Sequence, residues 1–322
     1  MTITDYFPNM IGQTEAVSKL SFYLQGYEKT RVFPNLCITG TRGFGKSMIA
    51  QGIARNLFKS EEEGQGHKRM VEISGAEFAG NKALKQFIES VIINYVQGFQ
   101  EVTLFFDEIH LAHDSVKNWL LHVLNPTDGN VTRNSYEDTE YEFDFKKFTF
   151  LSATTNPEKM SKPLLDRLER IELRPYKQDE LIKLLRRYTP DVNYKDDIEG
   201  KIVSTMRGNP RQIVKFAKQK LPHYMAQMDK DTFDALDWTN LCQILSIRPY
   251  GLLPNEIEAL RYLELRGGAT LTSLAAFLGL DPATVRRESE LFLLSNNLIR
   301  IDGKRYITPQ GQKVLKECLI SA

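Results

Sequence analysis

Three short apolar runs in the first half of the chain have the length and continuity of buried parallel strands. They span residues 35–39, 102–106 and 148–157, the last ending in small hydroxyl and amide residues. A continuous apolar run is typical of a strand that is covered on both faces. After the first run, the apolar positions of residues 47–58 recur at helical spacing. The sequence therefore predicts an α/β fold with a parallel sheet.

A different pattern, apolar and acidic residues in alternation, lies before the third run. The alternating residues are Tyr141, Phe143 and Phe145 with Glu142 and Asp144. A period of two predicts a half-exposed strand, and residues 131–132 are placed opposite it. Residues 128–147 are therefore predicted to form an inserted β-hairpin with a polar tip at residues 133–139.

The C-terminal third has the pattern of a helix-turn-helix followed by two strands. The apolar residues Leu274, Ala275 and Leu278 form one helix face, and Gly279 ends that helix. Asp281 is placed to cap the next helix, with Pro282 at its first position. The Asp302-Gly303 pair is a hairpin signal between two short strands. These elements predict a winged-helix module.

A segment punctuated by proline and glycine, residues 246–256, predicts a joint before that module. We therefore predict three domains. They are residues 1–175 with the parallel sheet and hairpin, residues 176–247 as a helical lid, and residues 248–322 as the winged helix.

Composition and charge narrow the class of protein without indicating a partner. The 322 residues carry 42 basic and 41 acidic side chains, a net charge of +1, so a nucleic-acid contact requires a local basic patch. The three cysteines form no C-x-x-C pair, which favours a reducing, cytoplasmic setting without structural zinc or disulfides. No apolar run reaches the ~20 residues that span a bilayer. The first residues lack the pattern of a signal peptide.

The segment "GTRGFGKS", residues 40–47, fits the phosphate-binding pattern G-x-x-x-x-G-K-[ST]. It follows the first predicted strand and opens a predicted helix, which is the context that the pattern requires. Its glycines would let backbone amides turn toward phosphate oxygens. Lys46 would contact the β- and γ-phosphates of ATP, and Ser47 would bind Mg²⁺. The candidate nucleotide-binding residues here are Gly40, Gly43, Phe44, Gly45, Lys46, Ser47 and Met48.

Polar side chains follow the other two predicted strands. Asp107 and Glu108 come at the end of the second strand, the edge where ligands bind in open α/β sheets. Asp107 would hold Mg²⁺, directly or through water, and Glu108 would activate the attacking water as general base. Thr155 or Asn156, at the end of the third strand, could hydrogen-bond the γ-phosphate or that water.

Two arginine-bearing segments follow the third strand. Arg167 and Arg170 are three residues apart and are predicted to share one face of a short helix. One of them could stabilise the γ-phosphate held by a neighbouring subunit, and a salt-bridged surface helix is the alternative. Arg211, just after an Asn-Pro pair, starts another predicted helix and could reach back to the nucleotide.

Together these motifs resemble those of AAA+ ATPases: Walker A and Walker B motifs, a first-sensor strand, an arginine-finger box and a second sensor. Their order, with the C-terminal module, resembles the RuvB family, which drives branch migration of Holliday junctions. The stretches that carry this resemblance are "MIGQTEAVSKL", "FFDEIH", "SATTNP", "PLLDRLERIEL" and "RGNPRQI". The resemblance favours Arg167 over Arg170 as the finger. It also implies that Ile11 borders the adenine pocket.

The resemblance implies a AAA+ core, a lid and a winged helix in a homo-oligomeric, hexameric ring. Such a ring would hydrolyse ATP with Mg²⁺, translocate duplex or junction DNA, and act in recombination and repair. The cations that would contact DNA are Arg286, Arg287, Arg300, Lys304 and Arg305. Residues 251–322 contain nine basic and eight acidic residues, so binding per subunit is expected to be weak and salt-dependent.

The sequence departs from the family in its phosphate loop, its sensor and its finger box, where Leu165 replaces an additional arginine. In RuvB, the apolar face of the hairpin docks on the partner RuvA. The polar tip predicted here offers little apolar area to a RuvA-like partner. A different partner, a direct grip on DNA and a solvated hairpin all remain open.

Two other functions share the same core. An ATP-dependent loader or clamp-loader subunit would be stimulated by a protein ring and would show little branch migration. A nucleotide-gated scaffold would bind ATP with negligible turnover, and the Asp107-Glu108 pair argues against it.

Overall fold

The computed structural model describes residues 6–59, 66–97, 101–124, 131–137 and 139–320. The chain divides into two compact units, Met1–Lys177 and Gln178–Ala322. Their boundary lies close to the predicted end of the first domain.

The first unit contains a five-stranded parallel sheet in the spatial order β2-β3-β6-β1-β7. Its strands are β1 Leu36–Thr39, β2 Arg69–Ser74, β3 Val102–Asp107, β6 Phe148–Thr154 and β7 Glu169–Glu172. The three central strands, β3, β6 and β1, confirm the three predicted ones. The sequence pattern does not predict β2 and β7. Both lie at the sheet edges, where charged side chains are tolerated.

Helices cover this sheet in two layers. They are α1 Thr14–Thr30, α2 Lys46–Ala54, α3 Ala83–Phe87 with a π-helical extension Ile88–Gln97, α4 Asp114–Val123 and α5 Lys162–Leu165. Alternate residues of β3 enter different apolar clusters: Phe105 packs with α1 and α2, whereas Leu104 and Phe106 pack with α3 and α4. Because side chains alternate across a strand, the clusters lie on opposite faces of the sheet.

The predicted hairpin is present. Strands β4 Val131–Tyr136 and β5 Thr139–Asp144 pair antiparallel. They extend further than predicted, so the connection lies between Tyr136 and Thr139 rather than over residues 133–139. Asp138, in the predicted tip, lies outside the described residues.

The apolar face of the hairpin packs against its own domain. Phe143 is fully buried, with its ring centroid 5.5 Å from that of Trp119 and 5.9 Å from that of Phe148. Tyr141 and Phe145 belong to the same apolar cluster. This face therefore supplies core to the domain. A RuvA-like partner at the hairpin stays a prediction, and this buried face is not the surface that it would use.

The second unit is mainly helical. Its helices are α6 Gln178–Tyr188, α7 Ile198–Thr205, α8 Pro210–Lys215, α9 Leu221–Met228, α10 Ala235–Ile244, α11 Pro254–Arg266, α12 Leu271–Leu278, α13 Pro282–Thr284, α14 Leu291–Ser295 and α15 Pro309–Ile320. Two π-helical segments, Phe216–Lys220 and Val285–Glu290, join α8 to α9 and α13 to α14. The short strands are β8 Asn193–Tyr194, β9 Thr232–Phe233, β10 Ile299–Asp302 and β11 Lys304–Ile307. None of the helices in the described part of the chain is long and apolar enough to cross a membrane.

The winged-helix pattern is confirmed in detail. Gly279 ends α12 with a φ of 67°, and the Asp281 side chain accepts a hydrogen bond from the amide of Thr284 at 3.0 Å. Strands β10 and β11 pair around Gly303, whose φ is 64°. Local capping and turn chemistry were thus sufficient to predict this module.

The predicted joint at residues 246–256 lies within the second unit and does not divide it. Gly251 packs so closely that a Cβ atom there would lie 2.0 Å from the carbonyl oxygen of Thr205 in α7. Arg207 forms an ion pair with the fully buried Glu256 of α11, Nη2 to Oε1 at 2.8 Å. The lid and the winged helix are therefore packed together as one unit.

Candidate functional site

The loop between β1 and α2 has a backbone that few side chains permit. Gly40, Gly43 and Gly45 have φ values of 152°, 90° and 99°, in the region that favours glycine. At Gly40 an added Cβ would lie 2.9 Å from Cβ of Leu173. Helix α2 begins directly after Gly45, so its N-terminal amides and positive dipole end are at the loop. This arrangement suits a bound phosphate.

Lys46 places its ammonium group under this loop. Its side chain is 6% exposed, and Nζ donates to the carbonyl oxygen of Gly40 at 2.9 Å. The same Nζ lies 3.8 Å from Oε1 of Glu108. A phosphate in the loop would therefore meet a positive charge that is already oriented.

The other loop residues differ in exposure. Ser47 is half-buried at the second position of α2, and Met48 is exposed. Phe44 is buried, and its ring centroid lies 6.0 Å from that of Tyr176, whose hydroxyl donates to the Phe44 carbonyl oxygen at 3.3 Å. The ring of Phe44 thus supports the loop from the core side.

Glu108 is held in an unusual backbone conformation at the end of β3. Its φ and ψ are 50° and 48°, a left-handed region that costs a non-glycine residue on the order of 1–3 kcal/mol. Its Oε2 accepts hydrogen bonds from the amide and the hydroxyl of Thr155, at 2.9 and 3.0 Å. A Cβ atom at Gly75 would lie 2.3 Å from the Glu108 carbonyl oxygen. The surrounding chain therefore determines the carboxylate's position closely.

His110 joins Glu108 to the end of β6. Its Nδ1 lies 2.9 Å from the hydroxyl of Thr154 and 3.2 Å from Oε2 of Glu108. Its Nε2 lies 3.2 Å from Nδ2 of Asn156. Both ring nitrogens of His110 therefore have a polar partner. Burial lowers the pKa of His110, although the Glu108 carboxylate opposes this shift.

Thr155 and Asn156 were predicted to face the γ-phosphate or the attacking water. The structure brings both into the polar cluster around Glu108, through the Thr155 contacts and through His110. His110, Thr154 and Gly75 have no role predicted from the sequence. The histidine two residues after the glutamate in "DEIH" was an available signal, whereas the Gly75 contact depends on packing between distant segments.

Asp107 ends β3 beside Ser74 of β2 and is half-buried. Among the described residues, no three His, Cys, Asp or Glu side chains converge to form a protein-only metal site. Mg²⁺ commonly uses one or two protein oxygens together with phosphate oxygens and water. One carboxylate from Asp107 and one hydroxyl from Ser47 fit that donor set.

The prediction that Arg167 and Arg170 share a helix face is wrong. Helix α5 ends at Leu165, Arg167 lies in the following turn, and Arg170 lies on β7. The guanidinium of Arg167 donates through Nη1 to the carbonyl oxygen of Pro163 at 2.8 Å. Its Nε is buried and has no hydrogen-bond partner among the described residues. Leu165 is itself buried in the core.

Ile11 is half-buried in a segment tied to the end of the first unit. The neighbouring Gln13 side chain donates to the carbonyl oxygen of Arg174 at 2.7 Å and accepts from its amide at 2.9 Å. The segment is thereby fixed to the chain just before the unit boundary. The adenine contact of Ile11 stays a prediction.

Arg211 lies in the second unit, exposed in the first turn of α8. Its amide donates to the Asn209 side chain at 3.0 Å, which confirms the predicted helix start. Its role as a nucleotide sensor stays a prediction.

Of the five cations predicted to contact DNA, four are exposed and one is buried. Arg286, Arg287, Arg300 and Lys304 are exposed. Arg305 is buried, and its Nε donates to Oε2 of the buried Glu290 at 2.6 Å. Strand alternation turns this arginine toward the interior, and its backbone pairs with Ala269 on one side and with Ile301 on the other. Its assignment as a DNA contact is therefore wrong.

We expect Arg305→Met to lower the free energy of unfolding by about 3–5 kcal/mol, because Glu290 would keep a buried charge without this partner. Chemical denaturation of the full chain measures the change. Arg300→Gln, which alters an exposed cation 3.7 Å from Asp302, should change stability by less than about 0.5 kcal/mol. A stable Arg305→Met protein with weakened DNA binding would contradict the structural role.

The arrangement of the site on the parallel sheet is typical of a nucleotide-binding domain. Three groups of residues lie at the carboxyl edge of one parallel sheet. They are the phosphate loop after β1, the Asp107-Glu108 pair at the end of β3, and Thr155 and Asn156 after β6. Residues 36–176 match the family model described as "ATPase family associated with various cellular activities (AAA)". This part of the chain is therefore a AAA domain.

The similarity to particular proteins covers nearly the whole chain. The Holliday junction branch migration complex subunit RuvB of Sulfurimonas denitrificans is 25% identical over 313 residues, covering 95% of this chain and 88% of the relative. RuvB of Acholeplasma laidlawii is 27% identical over 318 residues, covering 94% and 85%. The solved structure of the Thermotoga maritima RuvB Holliday junction branch migration motor has the same fold, with a TM-score of 0.74 at 24% identity over 96% of each chain. The chain is thus similar to RuvB proteins along nearly its whole length and shares their fold.

Proposed function

We propose that this protein is a ring-forming, ATP-driven motor that translocates duplex DNA and drives branch migration of Holliday junctions. The arrangement of Glu108 carries the proposal. Its carboxylate lies 3.8 Å from the ammonium group of Lys46 and within hydrogen-bond distance of Thr155. The residues proposed as phosphate-binding cation, general base and sensor thus lie together in one domain. Full-length similarity to RuvB proteins supports the extension to junction DNA.

The chemistry follows from what each residue can hold or accept. Lys46 and the loop amides bind the β- and γ-phosphates, and Glu108 accepts a proton as water attacks the γ-phosphorus. The bond between the γ-phosphorus and the bridging oxygen breaks, and ADP leaves. Mg²⁺, held by Ser47 and Asp107, would neutralise charge on the phosphate oxygens. The amide and hydroxyl of Thr155 hold the Glu108 carboxylate in place through hydrogen bonds of 2.9 and 3.0 Å.

Contacts with DNA are proposed for the exposed cations of the winged helix. Three of them lie near carboxylates: Arg286 is 3.9 Å from Glu290, Arg287 is 3.1 Å from Glu288, and Arg300 is 3.7 Å from Asp302. Such partly compensated charges favour weak, salt-dependent binding by one subunit. Assembly into a hexameric ring would multiply these contacts.

Electron microscopy of the full chain with an ATP analogue and four-way junction DNA tests the proposal. Closed rings around the duplex arms, together with ATP-dependent junction dissociation, are the expected result. ATPase activity stimulated by a protein ring, without junction dissociation, would favour a loader. Monomers that bind ATP and leave it intact would favour a scaffold.

His110 is proposed as a positioning residue that acts through Glu108. We expect His110→Ala to lower kcat for ATP hydrolysis by about 10- to 100-fold, because misplacing a reacting group by an ångström has effects of this size. The KM for ATP should change little, since the described contacts of His110 are with Thr154, Asn156 and Glu108 and not with the phosphate loop. Steady-state ATPase assays measure both constants.

His113→Ala is the matched control for this prediction. His113 lies in the same segment, but its Nδ1 caps α4 by accepting from the amide of Ser115 at 3.3 Å. Its replacement should leave kcat near the wild-type value. Equal turnover by wild type and His110→Ala would refute the positioning role.

A further inference from the structure

The "RGNPR" segment contains two arginines, and only the second, Arg211, has a predicted function. The first, Arg207, has a φ of 58°, an uncommon conformation for a residue with a Cβ. Its side chain is about three-quarters buried, with 24% exposed. The side chain of Arg207 is therefore held in one position by the residues around it.

The guanidinium of Arg207 joins two helices of the winged-helix region. Its Nη2 and Nη1 lie 2.8 and 3.3 Å from Oε1 and Oε2 of Glu256 at the start of α11. Its Cζ lies 3.6 Å from the ring centroid of Phe292 in α14. A planar guanidinium can pair bidentately with a carboxylate and stack on a ring at the same time, which lysine cannot.

The Glu256 carboxylate accepts three hydrogen bonds, two from Arg207 and one from the backbone. It is fully buried, and Oε2 also accepts from the amide of Leu253 at 2.8 Å, which caps α11. Burial raises the pKa of Glu256, and the Arg207 charge opposes that rise. Displacing Arg207 would disturb both the cap and the compensation of a buried charge.

Arg207 and Phe292 lie close in sequence to residues with different predicted roles, nucleotide sensing for Arg211 and DNA binding for Arg286 and Arg287. Arg207 is followed by Gly208, Asn209 and Pro210, and then by Arg211 at the start of α8. Phe292 belongs to α14, which continues the π-helical segment that carries Arg286 and Arg287. A side-chain contact of 3.6 Å therefore connects the segment of the predicted nucleotide sensor, Arg211, to the helix predicted to contact DNA.

We propose that Arg207 is the coupling residue between nucleotide state and DNA binding in this subunit. A displacement of Arg211 by ATP or ADP is transmitted through the short "RGNPR" segment to Arg207. The Glu256 and Phe292 contacts then pass it to α11 and α14. The inference rests on the proposed function, because it requires that the chain bind both nucleotide and DNA.

Coupling between two ligands is measurable as a ratio of affinities. We define the coupling ratio as the Kd for a fluorescent four-way junction with ADP divided by the Kd with a non-hydrolysable ATP analogue. Fluorescence anisotropy of the full-length protein gives both values. Reciprocity requires that DNA change the affinity for the two nucleotides by the same factor.

Two variants remove the contact in different ways. Arg207→Gln/Glu256→Gln removes both buried charges and keeps side chains that can hydrogen-bond. Phe292→Leu removes the ring and leaves the ion pair. Both are expected to bring the coupling ratio close to one while ATP still binds. Arg261→Gln is the control, because Arg261 is exposed on the same helix, 3.8 Å from Glu258, and it should keep the wild-type ratio.

Thermal melting checks that each variant remains folded, and Phe292→Leu provides the test if the double variant is unstable. A wild-type ratio in either folded variant would overturn the coupling role. A wild-type ratio of one would overturn it as well. Wild-type protein that binds neither ATP nor junction DNA would instead refute the proposed function.

Discussion

Glu108→Gln is expected to lower the rate of ATP hydrolysis by about 10²- to 10⁴-fold, the usual contribution of a general base. The amide oxygen of glutamine can still accept from the Thr155 hydroxyl, so the local fold should survive. The glutamine side chain cannot take a proton from water. The protein should therefore bind ATP with near wild-type affinity and retain it. Single-turnover hydrolysis and equilibrium binding of a fluorescent ATP analogue separate the two effects.

The matched control for this variant is Glu72→Gln. Glu72 is an exposed carboxylate on β2, and its replacement makes the same change in charge without touching the site. Turnover should stay near the wild-type value. If Glu108→Gln hydrolysed ATP as fast as the control, another group would have to be the base.

The central part of the fold and site was predictable because it depends on local signals. A continuous apolar run, a glycine loop and an amphipathic helix occupy adjacent positions in the chain, so β1, the phosphate loop and α2 can be inferred together. The same holds for the capped helices and the Gly303 turn of the winged helix. In each case a few neighbouring residues contain the information.

The wrong predictions concern residues whose positions depend on contacts between distant parts of the chain. Strand β7 has only four residues, mostly charged, and is a strand because it pairs with β1. That pairing separates Arg170 from Arg167. Arg305 looks like a surface cation in the sequence, yet Glu290 on another element gives it a buried partner. Neither the pairing of β7 with β1 nor the ion pair of Arg305 with Glu290 produces a periodic pattern in the neighbouring sequence.

The hairpin shows how burial changes a functional expectation. Its alternating pattern correctly predicts two strands, but alternation only states that one face is apolar. Trp119 and Phe148 cover that face within the same domain. The exposed side chains of its described residues are polar, and they include the Arg133 and Glu142 cross-strand pair at 2.8 Å. A partner at this surface would have to bind through polar contacts.

Arg167→Ala is expected to lower kcat by about 10³- to 10⁵-fold, as when an arginine finger is lost. Arg167 lies in the turn after α5, where its Nη1 bonds only to the Pro163 carbonyl in the described structure, and its buried Nε has no described partner. No carboxylate pairs with it among the described residues. Its charge thus suits a phosphate supplied by a neighbouring subunit. Arg170→Ala, on β7, is the control and should change kcat only slightly.

Mixing two inactive variants tests whether Arg167 acts across the interface. A subunit with Arg167→Ala keeps its own Glu108, and a subunit with Glu108→Gln keeps its Arg167. If the finger acts on a neighbour, random mixing in equal amounts restores about one interface in four, because each interface draws one half-site from each subunit. ATPase activity should then appear on mixing and depend on the variant ratio. Activity that stays absent in mixed rings of confirmed composition would assign Arg167 to its own subunit.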